Sequence, residues 1–479
     1  MKKVTSLILS VVFIFLTSFP VSAENASKEI HNEDPIVVVR GIDFAGLVKE
    51  DGSKAISVDY FDILNLIFTI VGHKINGDKD AVAKSIVSFG NDIFRDVVCD
   101  KEGNPSNPEV HIPKFYESAA NYDLSGDEWA DTAVGLFRSC ANTFESDRVY
   151  LYTFDWRKSP SELADELNEF FKSILEKTGE DKLDIAACSM GGMITTAYID
   201  KYGTDKLDTV TYLSSAHNGG HLIGSAFTGD LTIDSDFLGQ LLRGKTENNF
   251  FINLIIKLFD FLGVFEGVAK IVNNFLVTHK DYIYDNFLCV TFATAYGLWA
   301  LVPDEYFDDA VNFFFDGKDG YDKALTEIAK VRDFVYSTDS IINKACASDT
   351  KVTFVSHYNS EQLPIYSRFF MHGDGVLETD RTSGYGTIAN FGDTLSDKEI
   401  NGVAAEYISP DKVINASTCL HSETTWFVKN AKHVGCKDGS DHTEFAIWLL
   451  TSKEQPTVNS NAAYPRFLNA DKNENFISF

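Results

Sequence analysis

Apolar positions along the chain follow two different periods. Residues 35–40 enclose an unbroken β-branched run, Ile36-Val37-Val38-Val39, stopped by Gly41. That is the pattern of a strand covered on both faces and followed by a turn. Similar short runs predict strands over residues 148–154, 183–187 and 209–215. Between them the period changes to that of a helix. Residues 128–139 place Trp129, Ala133, Leu136 and Phe137 on one face, and residues 159–177 do the same with Leu163, Leu167, Phe170, Phe171 and Ile174. Ser159-Pro160 opens the second of these with a capping side chain and a first-turn proline. A further helix is predicted over 191–202. Strand and helix alternate, so the expected fold class is α/β, a mostly parallel sheet with helices on both faces.

The alternation stops near residue 222. Up to about 345 the chain is dominated by helical, aromatic-rich stretches such as 250–256 and 306–315. Strand signals resume at 352–356 and 424–430, and 445–450 belongs to a closing helix. The expected organisation is therefore a sheet domain in two parts, 24–221 and 346–479, interrupted by a helical cap or lid insertion, 222–345. Residues 1–23 read as a leader: Lys2 and Lys3, an apolar core over 7–16, and the small-residue site Val21-Ser22-Ala23. This predicts export with cleavage after Ala23. The apolar core is short for a membrane span, which needs roughly 20 residues. The next most apolar stretch, 250–275, is broken by Lys257, Asp260, Glu266 and Lys270.

Net charge narrows the partners. The chain carries −28, and loss of Lys2 and Lys3, with no acid before Glu24, would leave −30. Such a surface repels nucleic acid and anionic membranes at long range, so no nucleic-acid partner is expected. The seven cysteines show no CxxC or Cys/His spacing of a zinc site. Export would permit disulfides; the odd count leaves at least one thiol unpaired within the chain, and Cys188 is the expected one.

The sharpest chemical feature is Ala187-Cys188-Ser189-Met190-Gly191-Gly192, set between a predicted strand and a predicted helix. A nucleophile elbow needs small residues two before and two after its Ser, because the turn is too tight for larger ones. Ala187 and Gly191 fill those places. Ser189 would present its Oγ, and the backbone N–H of Met190, opening the helix, would stabilise an oxyanion. A Ser in this position can also be a plain helix cap; the strand–turn–helix context favours the nucleophile. A Ser nucleophile needs a His base held by a carboxylate, in the chain order Ser, acid, His. Asp374, between Gly373 and Gly375, and a later His satisfy that order, with Asp393 as the second candidate acid. Two histidines compete for the base. His433 follows the strand predicted at 424–430 almost directly, and His442 stands just before the last helix. His217 and His421 read as loop residues.

Several segments, in order, resemble the lecithin:cholesterol acyltransferase family of lipid acyltransferases and phospholipases, within the α/β-hydrolases. Residues 36–41 resemble the family's first strand and oxyanion turn, and Phe154-Asp155-Trp156-Arg157 its Tyr-Asp-Trp-Arg signature. Residues 188–192 resemble its His-Ser-Met-Gly-Gly. Residues 214–220 resemble its Gly-Thr-Pro-x-x-Gly turn, residues 296–303 a cap segment ending in Leu-Pro, and Gly373-Asp374-Gly375-Val376 its acid loop. Asp441-His442-Thr443-Glu444-Phe445 resembles the segment carrying its base. The matching segments run from about residue 35 to 450.

The resemblance implies an α/β-hydrolase fold with Ser189 as nucleophile, Asp374 as acid and His442 as base. It places a first oxyanion N–H near Ile42, to act with that of Met190. Asp155 and Arg157 would form a structural framework. The implied activity is hydrolysis of a lipid ester, or transfer of its acyl group to an alcohol acceptor, through an acyl-Ser189 intermediate and without metal or cofactor. Given the charge, a lipid would be gripped by apolar surface, and 38 Phe can supply it. Two readings compete: an esterase on a non-lipid substrate, and a secreted binding protein on a decayed scaffold. The second is motivated by Arg40, Cys188 and Ala216, which depart from the family's usual residues.

Overall fold

A computed structural model of the chain describes residues 34–57, 69, 79–126, 129, 132–232, 277–360, 362, 366 and 370–479. The expected leader, residues 1–23, and the apolar stretch at 250–275 lie outside the described residues, as does part of the expected insertion.

The first half of the described chain alternates as the apolar periods predict. Strand β1 (Ile36–Val39) is followed by helix α1 (Lys79–Phe94) and helix α2 (Thr132–Thr143), then strand β2 (Val149–Tyr152) and helix α3 (Pro160–Thr178). Strand β3 (Leu183–Cys188), helix α4 (Met190–Tyr202), strand β4 (Leu207–Leu213) and helix α5 (His221–Thr228) come next. The start of α3 is fixed locally. Ser159 Oγ accepts from the Glu162 N–H and Glu162 returns a bond to the Ser159 N–H, a capping box contributing about 1 kcal/mol. The helix expected at 128–139 is observed as α2, a few residues later.

Between β4 and the next strand every described helix or strand is a helix. The main ones are α6 (Asp304–Phe315) and the long α7 (Asp322–Cys346). Strand β5 (Lys351–Tyr358) resumes the sheet. A small antiparallel pair, β6 (Thr387–Ile388) and β7 (Ile414–Asn415), precedes β8 (Thr425–Lys429) and helix α8 (Asp441–Leu450). Two strands that the apolar pattern did not reveal, β9 (Phe467–Ala470) and β10 (Phe476–Ile477), close the chain.

Among the described residues, eight strands make one sheet in the order β10-β9-β8-β5-β4-β3-β1-β2, parallel except for β9–β10. The fold class is α/β, with two apolar layers separated by the sheet. Val37, Val39, Ile185 and Ala187 face one layer with Leu167 and Phe171 of α3 and Met193 of α4. Ile36, Val38, Ala186 and Cys188 face the other with Phe137 and Cys140 of α2 and Phe445 and Leu449 of α8. Near-continuous apolar strands are needed because both faces are covered.

Strand order reverses between β1 and β3: the chain runs from β1 outward to β2, then returns past β1 to β3. A crevice opens at such a point, outside the carboxyl ends of the strands, and is where open α/β sheets bind ligands. Ser189 follows β3 and Gly41 lies just past β1, so both stand at this crevice.

Candidate active site

Ser189 is forced into place by its neighbours. Its backbone sits at φ 50°, ψ −126°, a region that a residue with a Cβ enters only under strain. Its N–H donates to the Leu213 carbonyl at 3.2 Å, and its own carbonyl accepts from Gly192 and Ala216 at 3.0 and 2.9 Å. Small residues are required on the helix side of the turn. A Cβ on Gly191 would lie 2.2 Å from the Val39 carbonyl oxygen, and one on Gly192 would overlap Ser215 Oγ. The elbow therefore packs backbone to backbone against the end of β1.

Two loops bring groups to Ser189. The loop after β5 carries Asp374, buried, with Gly375 at φ 98° making the turn. Asp374 Oδ1 accepts the N–H groups of Val376 and Leu377 at 2.9 and 2.7 Å. The loop after β8 carries His433, whose Nδ1 is 2.8 Å from Asp374 Oδ2 and whose Nε2 is 2.8 Å from Ser189 Oγ. The His433 N–H also donates to the Asp374 carbonyl at 2.9 Å. Burial alone would push the Asp374 carboxyl up. The charge and hydrogen bond of His433, with the Leu377 N–H, outweigh it and hold the group below the ordinary carboxylate range. An ionised Asp374 can only accept, so the proton of His433 sits on Nδ1. In the neutral ring, a proton on Nδ1 leaves Nε2 free to accept from the Ser189 hydroxyl.

His442 is not at Ser189, contrary to the expectation that it is the base. It lies in the first turn of α8, fully buried, with Nε2 3.1 Å from His357 Nε2 and Nδ1 3.7 Å from Glu474 Oε2. The physical reason is the face it occupies. His442, Phe445 and Ala446 share one side of α8, the side buried against the sheet. His433, expected as the competing base, occupies the mouth of the crevice instead. Asp393 is exposed in a separate turn, away from the Ser–His pair. His217 is buried between Tyr212 and Phe354, and burial, then His421, pushes its ring down to about 3.

Of the two expected oxyanion donors, Met190 directly follows Ser189 and Ile42 follows Gly41, which packs against Ser189. Met190 is the first residue of α4, where an N–H has no partner within its own helix. A Cβ on Gly41 would lie 2.7 Å from Ser189 Cβ and 3.1 Å from its Oγ, so the turn leading into Ile42 rests against Ser189. The helical segment between β4 and β5 reaches the same place. A Cβ on Gly297 would meet Met190 Cε at 2.8 Å and the Trp156 carbonyl at 2.3 Å, and the Tyr296 N–H donates to the Arg157 carbonyl at 3.0 Å. Below it, Arg157 clamps Asp155 through Nε and Nη2, at 2.6–3.1 Å, and donates to the Val110 carbonyl at 3.0 Å.

All seven thiols are unpaired, Cys188 among them, and burial raises the Cys188 thiol. Three carboxylates, of Asp34, Asp184 and Asp208, come within 4.8 Å of one another at the opposite end of the strands. They could ligate a cation, but Lys351 already contacts Asp208, and five residues of strand, about 16 Å at ~3.3 Å per residue, separate Asp184 from Ser189. No protein-family model matches the chain, and no curated protein matches it.

Proposed function

We propose that the protein is an exported serine acyl hydrolase or O-acyltransferase of the α/β-hydrolase fold, acting on lipid esters, with Ser189, His433 and Asp374 as its triad. One observation carries the reading: His433 bridges Ser189 Oγ and Asp374 Oδ2 with both contacts at 2.8 Å. The Ser189 hydroxyl attacks the ester carbonyl as His433 Nε2 takes its proton. Asp374 holds the resulting imidazolium in orientation. The oxyanion is received by the N–H groups of Met190 and, from the turn after β1, Ile42. Collapse expels the alcohol, which takes the proton from His433, and leaves acyl-Ser189. Water, or an alcohol acceptor, then attacks that ester with His433 again as base. Every group in this cycle belongs to the chain, and no cofactor is invoked.

The lipid preference and export rest on the leader-like first 23 residues, the family resemblance, and the aromatic helical segment that packs onto the elbow. The test compares p-nitrophenyl esters of short and long acyl chains, and dispersed phospholipid, with Ser189→Ala as control. The lipid reading expects rates that rise with chain length and with dispersion. Rates that fall with chain length would favour an esterase on a non-lipid substrate. Activity unchanged in Ser189→Ala would overturn the whole assignment.

A further inference from the structure

Behind the triad lies a second line of titratable groups that the proposed chemistry does not use. His357, on β5 and fully buried, has Nδ1 2.8 Å from the Lys432 carbonyl and 2.8 Å from Ser214 Oγ. Its Nε2 meets His442 Nε2 at 3.1 Å. His442 Nδ1 faces Glu474 Oε2 at 3.7 Å. Glu474, between β9 and β10, accepts the Lys437 N–H at 2.7 Å, and its carbonyl accepts the His442 N–H at 3.2 Å. The line therefore starts at the carbonyl of Lys432 and ends at the N–H of Lys437. Those are the two ends of the six-residue turn that carries His433.

The turn needs such a hold. Val434, next to His433, sits at φ 48°, a genuine outlier for a β-branched residue. Strain of that kind persists only where the surroundings over-determine it. Within the turn one further bond runs from the Gly435 N–H to the Lys432 carbonyl, at 2.8 Å. Gly435 itself is pressed against Glu474, whose Oε1 would lie 2.6 Å from a Cβ there.

Donors and acceptors fix where the protons sit. The Lys432 carbonyl only accepts, so His357 donates from Nδ1, and Ser214 Oγ shares that proton. Burial, then the neighbouring His442, pushes the His357 ring down to about 3, so Nε2 is bare and His442 Nε2 must donate to it. Burial raises the Glu474 carboxyl, but the His442 ring beside it at 3.7 Å and the hydrogen bond from the Lys437 N–H outweigh burial and hold it below the ordinary carboxylate range.

We propose that Glu474, His442 and His357 are positioning residues for the base: a buried chain that pins both ends of the 432–437 turn and so holds His433 Nε2 on Ser189 Oγ. This rests on the triad reading above and goes beyond it. Misplacing a reacting group by about 1 Å can cost about 10²-fold in rate.

The test follows phosphonylation of Ser189 by a fluorophosphonate in the full chain. Wild type is compared with His442→Phe, which keeps an aromatic volume but no donor, and with Glu474→Gln, a gentler change for use if His442→Phe does not fold. The expected result is an unchanged endpoint of one adduct per chain with a rate constant lower by 10- to 100-fold, and a matching fall in kcat with KM within about twofold. A merely structural role would lower the endpoint and leave the rate constant of the reactive fraction alone, which would overturn the proposal. So would a rate within about twofold of wild type. If the wild type itself takes no label on Ser189, the triad reading fails and this inference falls with it; labelling that is indifferent to His442 removes the inference alone.

Discussion

Ser189 holds φ 50° and ψ −126°, a conformation in which a Cβ is strained and glycine is not. Two variants of this residue separate that strain from its chemistry. Ser189→Ala removes the hydroxyl and its contact with His433 but keeps the Cβ. Ser189→Gly removes all of these. Both lose one hydrogen bond, so that loss cancels in the comparison. Strain at such a position costs about 1–3 kcal/mol, and Gly recovers it. Against that, Gly loses about 0.4–1 kcal/mol more than Ala through the freedom of its unfolded chain. The Ser189 side chain is mostly buried but small, so the lost methyl costs little more. The Gly variant should therefore be the more stable of the two, by about 1 kcal/mol. Urea unfolding followed by tryptophan fluorescence measures the difference, with both variants expected to take no fluorophosphonate. An Ala variant as stable as the Gly variant, or more so, would refute the claim that the elbow stores strain at its nucleophile.

Gly191→Ala should destabilise the fold by about 3 kcal/mol or more and abolish labelling, since its Cβ would meet the Val39 carbonyl at 2.2 Å and backbone cannot yield as a side chain does; urea midpoints test this. Asp155→Ala should cost about 3–5 kcal/mol by stranding Arg157, whose side chain is 2% exposed, and an Arg157→Met, Asp155→Leu pair should recover part of it. Acid should weaken the protein through its neutral buried histidines. The His217 ring is pushed from 6.5 to about 3, so the unfolded chain binds its proton first. The stability this contributes is complete above 6.5 and is lost as the pH falls toward 3, at up to about 1.4 kcal/mol per pH unit. Urea midpoints at pH 7 and 5 should converge in His217→Phe relative to wild type; an unaltered slope would contradict the assignment.

Local features carried much of this architecture into the sequence. The run Ile36-Val37-Val38-Val39 is β1 without a residue to spare, and Ser159-Pro160 opens α3 with the cap it suggests. Ala187 to Gly191 could be read because an elbow is a steric requirement on adjacent residues. The proposed base could not be settled the same way, because its placement depends on how one turn after β8 folds back over the sheet edge. Two signals pointed to His433 all the same. It follows a strand at the carboxyl end of the sheet, where crevice residues sit, while His442 shares a helix face with Phe445 and Ala446 and so turns inward. The family resemblance drew attention to the second histidine and outweighed both. Strand β9 escaped notice because Phe467-Leu468-Asn469-Ala470 lacks the β-branched run that marks the equally short β1, and β10 because it is two residues long. Glu474 went unremarked with them, since its importance comes only from the partners that the sheet assembles.

The central claim is that Ser189 is a nucleophile activated by His433. The most direct test is intact-mass and peptide mapping of fluorophosphonate-treated wild type beside His433→Ala. The account predicts a single adduct on Ser189 in the wild type and a labelling rate lower by about 10²- to 10⁴-fold in the variant. An adduct on any other residue, or a His433→Ala protein labelled at the wild-type rate, would contradict it.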